Sequence, residues 1–114
     1  MSEPRLATSV LVSALRRKAE AEGGFAAILA KGDETAGAVL VILTEKGQNP
    51  TAYERLLQAD GRYSWSPSTA QLSENTAEVP EFVARRRQFD PDLWVIELDI
   101  PSAERFAADM VSLD

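Results

Sequence analysis

The sequence predicts an α+β fold. A single domain over residues 1–114 carries a mostly antiparallel sheet of about five strands with helices packed on it, in the order α-β-β-β-β-α-β-α. Three observations lead there. Val39-Leu40-Val41-Ile42-Leu43 is apolar without alternation, the mark of a central strand covered on both faces. Asp60-Gly61 sits between two extended stretches, a strong short signal for a hairpin turn. From Arg85 to Asp99 a helix-like run ends in three arginines, Asp90-Pro91-Asp92 makes a turn, and an alternating apolar strand follows.

Taken in order, residues 1–7 form a loose lead-in. Thr8 or Ser9 caps a helix running to Glu22, stopped by Gly23-Gly24. At about 100° per residue Leu11, Val12, Leu15 and Ala19 share one face, with Arg16, Arg17 and Glu20 on the other. The β-branched Val10 and Val12 leave the first turn open to an extended reading. Phe25 to Lys31 reads as a strand, residues 32–37 as a polar loop, and Ala38 to Thr44 as a second strand. Lys46 to Pro50 is a turn rich in breakers. Thr51 to Ala59 then pairs with Arg62 to Ser66, and a two-residue loop sets Leu56 opposite Trp65 and Gln58 opposite Tyr63. With one pair from each neighbouring strand, three sequential pairings build most of the sheet.

Residues 66–76 are expected to form a mobile connection, too short to link domains. A helix from about Ala77 or Pro80 ends at Phe89, because Asp90 precedes proline and so disfavours the α region. In the next strand Trp94, Ile96, Leu98 and Ile100 point one way, and Leu93, Val95, Glu97 and Asp99 the other. Pro101-Ser102 opens a last short helix with Phe106 and Met110 on one face and Ala103 and Ala107 beside it.

Composition narrows the chemistry. With 45% hydrophobic and 26% charged residues, 114 residues suffice for one core. A formal charge of −6 disfavours non-specific attraction to nucleic acid and anionic lipid. No apolar run reaches the roughly 18 residues of a membrane span, and no signal peptide is evident, so the cytoplasm is the expected location. Histidine and cysteine are both absent. Ser-His-Asp triads, thiol nucleophiles and zinc sites of the usual ligand type are therefore excluded, and no cofactor is expected.

Leu15-Arg16-Arg17 with Ala-Glu-Ala-Glu-Gly-Gly-Phe after Lys18, then Ala36-Gly37-Ala38-Val39-Leu40-Val41, then Arg87-x-Phe-Asp-Pro-Asp-Leu-Trp-Val occur in that order. Together they resemble a family of small uncharacterised alphaproteobacterial proteins, catalogued as domain of unknown function 1491. The resemblance runs from about Val12 to Asp99 and is most specific in the Asp-Pro-Asp-Leu-Trp-Val block. It implies a bacterial cytoplasmic protein of similar size and brings no activity or site residues with it.

Among the constellations that could carry chemistry, Asp90, Asp92, Glu97 and Asp99 form an acidic group of the kind Mg²⁺ or Ca²⁺ prefers. Turn chemistry and a solvated strand face account for all four more simply. An α-β-β-β-α-β core with Asp33 followed by Glu-x-Lys would resemble a metal-dependent nuclease. Here the second strand ends Glu45-Lys46 without the spacer, and the third carries Glu54-Arg55. Tyr53, Tyr63, Trp65 and Trp94 could stack bases, but core and hairpin packing is the stronger account.

Arg16-Arg17-Lys18 and Arg85-Arg86-Arg87 could build one anion-binding patch if their helices share a sheet face. Arg85, Arg86 and Arg87 are the anion-binding candidates. Arg86 falls in the middle of the stripe set by Val79, Phe82, Val83 and Phe89, with Arg85 and Arg87 on its margins. Facing the sheet, Arg86 needs a partner, Asp90 first, with Asp92 and Glu97 as alternatives. An internal pair is favoured over an arginine waiting in a cleft. The leading expectation for function is a non-enzymatic adaptor or regulatory module that binds a protein partner or itself as a homo-oligomer. The alternatives are a Mg²⁺-dependent hydrolase or nuclease working through carboxylates, and a binder of a small anionic ligand at the arginines.

Overall fold

In the computed structural model, which describes residues 7–35, 37–68 and 78–110, the elements follow the predicted order. They are α1 (Thr8–Ala21), β1 (Phe25–Ala30), β2 (Val39–Glu45), β3 (Gln48–Leu57), β4 (Tyr63–Pro67), α2 (Val79–Phe89), β5 (Trp94–Asp99) and α3 (Ala103–Met110). The strands make one sheet in the order β1-β5-β2-β3-β4. β1 with β5, β2 with β3 and β3 with β4 run antiparallel, while β2 and β5 run parallel, so the sheet is mixed.

Sequential pairing therefore fails at one place: β1 does not lie beside β2, because β5 enters between them. The burial of β5 explains why. Trp94, Val95, Ile96 and Leu98 are buried, and a strand apolar on both faces belongs in the sheet interior, where helices cover it above and below. Val39 to Leu43 is buried throughout, as expected of a central strand.

The sheet separates two apolar clusters. On one face α1 and α3 pack Leu11, Leu15, Phe106 and Met110 onto Val41, Leu43, Ile96 and Leu98. On the other, Val79 and Phe82 of α2 cover Leu40, Ile42, Ala52, Leu93 and Val95. Leu11, Val12, Leu15 and Ala19 form the buried stripe of α1, as periodicity predicts, and the whole of Thr8–Ala21 is helical despite its early valines. Lys18 binds α1 to α3, its ammonium 3.3 Å from Asp109 and 5.3 Å from the Phe106 ring centre. Phe89, assigned by sequence to the α2 stripe, is 89% exposed. It lies two turns beyond Phe82, where the helix has outrun its cover.

The start of α1 differs from expectation in a useful way. Neither Thr8 nor Ser9 is the cap; Ala7 holds that position and no side chain caps the helix. The free amides are met instead by backbone carbonyls of the 33–37 loop. Thr8 N–H donates to Thr35 O and Ser9 N–H to Glu34 O, and the Thr8 hydroxyl donates to Gly37 O at 3.0 Å. The other end follows the sequence reading: Gly23 N–H donates to Glu20 O and Gly24 N–H to Ala19 O, a Schellman stop.

Both hairpins correct the sequence reading in detail. Lys46-Gly47 alone makes the first turn, both residues having positive φ, and β3 starts at Gln48 rather than Thr51. Asn49, also at positive φ, is the extra residue of a bulge that shifts register between Leu43 and Glu45. The second loop is one residue longer than a two-residue turn. Gln58 N–H donates to Arg62 O and Gly61 N–H to Gln58 O, which encloses Ala59-Asp60-Gly61. Of these only Gly61 has positive φ, as in a type I turn followed by a glycine bulge. The extra residue moves the register by one, so Arg55 faces Trp65 and Leu57 faces Tyr63. Such a slip exchanges the two faces, and the Arg55 guanidinium comes to lie 4.1 Å from the Tyr63 ring centre. β4 takes in Ser66 and Pro67, the start of the expected mobile connection; residues 69–77, most of that connection, and residues 1–6 lie outside the described residues.

Because Gly61 has φ of +84°, Gly61→Val is expected to cost on the order of 1 kcal/mol or more through backbone strain. A urea melt of the variant checks this; an unchanged midpoint would contradict the glycine-bulge loop.

Candidate functional site

α2 covers its sheet face unevenly. Its buried residues Val79 and Phe82 share a cluster with Ala30, Leu40, Ile42, Ala52, Leu93 and Val95, while Leu29 of β1 stays 41% exposed. A cleft of about 500 Å³ opens there. Leu29 of β1, Val79, Pro80 and Val83 of α2, and Gly47 of the first hairpin turn line it, with Glu97 of β5 among them. Strand alternation puts Glu97 on this face, since its neighbours Ile96 and Leu98 are buried on the other. Apolar walls meeting at one carboxylate are the usual make-up of a small binding site.

No described residue donates a hydrogen bond or salt bridge to Glu97. Its carboxyl titrates above the ordinary glutamate range, first because burial penalises the charged form and second because Asp99 lies two residues along the same strand face. Asp99 is itself engaged, accepting the Lys46 N–H at 2.8 Å. Asp90 accepts the Asp92 N–H at 3.2 Å in the turn after α2. The four acids of the sequence reading thus divide into a turn, a hairpin clasp and the cleft carboxyl. Among the described residues no three potential metal-ligating side chains gather. The nuclease-like set is dispersed as well. Asp33 accepts the Thr35 N–H, Glu45 accepts the Ala103 N–H at the start of α3, and Glu54 binds Arg86.

The three arginines of α2 go three ways. Arg85 reaches back one turn to Glu81 at 3.4 Å, and both side chains are more than 60% exposed. Arg86 points over the sheet and pairs with Glu54 of β3. Its partner is therefore not Asp90, Asp92 or Glu97. The stem leads away from the helix end, and Asp90 is occupied by the turn it builds. Arg87 is no marginal residue either: its Nη2 donates to Pro91 O at 2.6 Å and to Lys31 O at 3.4 Å, which ties the helix end to the 31–38 loop. Spacing alone could not reveal this, because the acceptors are backbone carbonyls.

The two basic triplets do not meet. Arg16, Arg17 and Lys18 belong to α1 on one face of the sheet, and Arg85 to Arg87 belong to α2 on the other. The aromatics also part company. Trp94 is buried, Tyr53 and Trp65 pack against the α1–α3 core, and Tyr63 receives Arg55. What sequence reasoning missed is the exposed apolar edge of β1, a strand it had placed correctly along the chain. Phe25, Ile28 and Leu29 are 61%, 48% and 41% exposed on an edge strand, and six apolar residues without a charge were the signal available.

Two predictions follow from this geometry. Arg86→Ala is expected to lose about 2 kcal/mol in a urea melt, below the usual 3–5 for a fully buried pair because Arg86 keeps about a third of its exposure. Arg85→Ala loses only about 0.3 kcal/mol, and Arg87→Ala falls between them; equal losses at all three would contradict the assignment. Glu97 gives a pH test. Its folded-state pKa is raised, so the folded protein holds its proton more tightly than the unfolded chain. Stability is then lost as pH rises through the window from the ordinary glutamate value to the folded value. Glu97→Gln should stabilise at neutral pH, with the gain disappearing below that window; thermal melts across pH check the sign.

Comparison with known proteins agrees with this fold. A family model described as a protein of unknown function, DUF1491, matches residues 6–108. A solution structure of a protein from A. tumefaciens is 30% identical with a TM-score of 0.73, covering 90% of this chain and 92% of that one. A crystal structure of a DUF1491 family protein from Caulobacter crescentus is 33% identical with a TM-score of 0.72, covering 90% and 94%. An NMR structure of a DUF1491 family protein from the same organism is 31% identical with a TM-score of 0.76, covering 91% and 94%. No curated protein matches the chain. With the match running through the loop, helix and strand just described, the chain belongs to the DUF1491 family.

Proposed function

We propose that this chain is a non-enzymatic binding module that takes an extended segment of a partner protein onto the free edge of β1. The observation that carries the reading is the character of that edge. Among the described residues β1 ends the sheet and offers Phe25-Ala26-Ala27-Ile28-Leu29-Ala30, with three large apolar side chains exposed and no charge. Free amides and carbonyls on such an edge are a template for a further strand, and alternate side chains give selectivity. The opposite edge is different: β4 is five residues long and carries Ser64, Ser66 and Pro67, features that discourage pairing. A bulge between Ile28 and Ala30 confines regular pairing on β1 to its first four residues.

Self-association through the same edge is a second reading. An antiparallel two-fold pairing centred on Ala27 sets Ala26 opposite Ile28 of the second copy, both within the regular part of the strand. Cytoplasmic residence belongs to this reading too; no helix among the described residues is long and apolar enough to cross a membrane.

The test is cross-linking in cells followed by mass spectrometry, comparing wild type with Ile28→Arg, whose side chain stands half exposed. Wild type is expected to give cross-links from Lys31, just past the strand, to a partner or a second copy, and the variant to lose them by at least tenfold. The same cross-links at the same yield in both proteins would contradict edge binding.

A further inference from the structure

We propose that the cleft between α2, β1 and the first hairpin turn is a recognition pocket for a primary alkylammonium group of lysine side-chain length. Leu29, Val79, Pro80 and Val83 supply apolar walls from two elements, and Glu97 supplies the charged group. A lysine-like group has the matching division, a methylene stem that gains from apolar contact and a compact ammonium that needs an acceptor.

The charge pattern selects a cation. Glu97 has no hydrogen bond or salt bridge from a described residue, and Asp99 stands two residues away on the same face. Asp99 has given its carboxylate to the Lys46 amide, so Glu97 is the open acceptor. An unpaired, partly desolvated carboxylate beside a second acid is relieved by an arriving positive charge. An anion would meet the opposite, and the arginines that might have welcomed one are turned elsewhere, Arg85 to Glu81 and Arg86 to Glu54. The walls select an organic cation over a hard metal ion. Ca²⁺ takes six to eight oxygen ligands and Mg²⁺ an octahedron, whereas no three potential ligand side chains gather among the described residues. An alkylammonium needs only one carboxylate and a dry stem. The overall charge of −6 favours its approach.

The ammonium could arrive on a free small amine or on a lysine of another protein, and the pocket chemistry is the same for both. Leu29 lines the cleft and is also exposed on β1, so a lysine of a segment lying along that strand would be well placed. The pocket nonetheless stands without the edge-binding reading, since it can be measured with no protein partner present.

The experiment is a methyl-detected NMR titration of the intact chain with n-butylammonium chloride, followed at Leu29, Val79 and Val83. Saturable shifts confined to these methyls are expected. Glu97→Gln should weaken the apparent affinity at least tenfold while the methyls of Leu11 and Leu98, on the far face, keep their positions and so report an intact fold. Neutral n-butanol should bind at least tenfold more weakly than n-butylammonium. Tighter binding of Nα-acetyl-lysine methylamide than of n-butylammonium would assign the pocket to a protein side chain, and the reverse order to a free amine; either order supports the proposal. Equal binding of n-butanol and n-butylammonium, or an unchanged affinity in Glu97→Gln, would overturn it.

Discussion

The carbonyl of Asp92 lies where the ends of four elements meet. It accepts the Asp33 N–H, and it lies so close to Gly32 and Gly37 that a Cβ on either would overlap it. One residue on, the Trp94 indole donates to Asp33 O at 2.7 Å and the Trp94 amide to Ala38 O. The loop held this way turns its carbonyls of Glu34, Thr35 and Gly37 toward the first turn of α1. Arg87 closes the arrangement from α2 by reaching Lys31 O and Pro91 O. The start of α1, the end of β1, the start of β2 and the α2–β5 turn are thus joined through backbone groups. Two glycines are needed for the approach, because any side chain there would push the loop off the strand.

That arrangement also explains which parts of the structure were legible in the sequence. Apolar periodicity located every helix and strand, and alternation assigned both faces of β5 correctly, because burial follows side-chain direction. The Asp-Pro-Asp turn was legible from its own residues. The place of β5 was not, since pairing between distant segments leaves no local trace. Nor was the one-residue register difference at Gly61, which depends on the loop choosing three residues over two. The partner of Arg86 was misread for a related reason: Glu54 is 32 residues away along the chain and one strand across the sheet. Arg87 escaped notice because backbone carbonyls have no sequence signature. For the candidate site, the polar register of Glu97 was visible, but the cleft over it depends on how α2, β1 and the first hairpin turn come together, which no local pattern records.

Edge and cleft share one side of the molecule, with Leu29 belonging to both. The opposite face is filled by α1 and α3, where Phe106 and Met110 are fully buried. One face is thus closed by two helices and the other is left partly uncovered. Stabilising contacts such as the Arg86–Glu54 pair lie over β3, away from β1. The exposed edge residues Phe25, Ile28 and Leu29 can therefore vary with little effect on the core.

The insertion of β5 between β1 and β2 has a consequence for synthesis. As the chain leaves the ribosome, α1, β1, β2, β3, β4 and α2 all emerge before the interior strand that joins β1 to the rest of the sheet. Until Trp94 to Asp99 arrive, β1 has no partner and β2 has only β3, so their apolar residues lack one flank of cover. Long-range pairings of this kind are slow to form and leave strand edges exposed meanwhile. The nascent chain thus carries an unpartnered β1 until about its last fifth is translated, and a truncation before Trp94 removes an interior strand of the sheet rather than its rim.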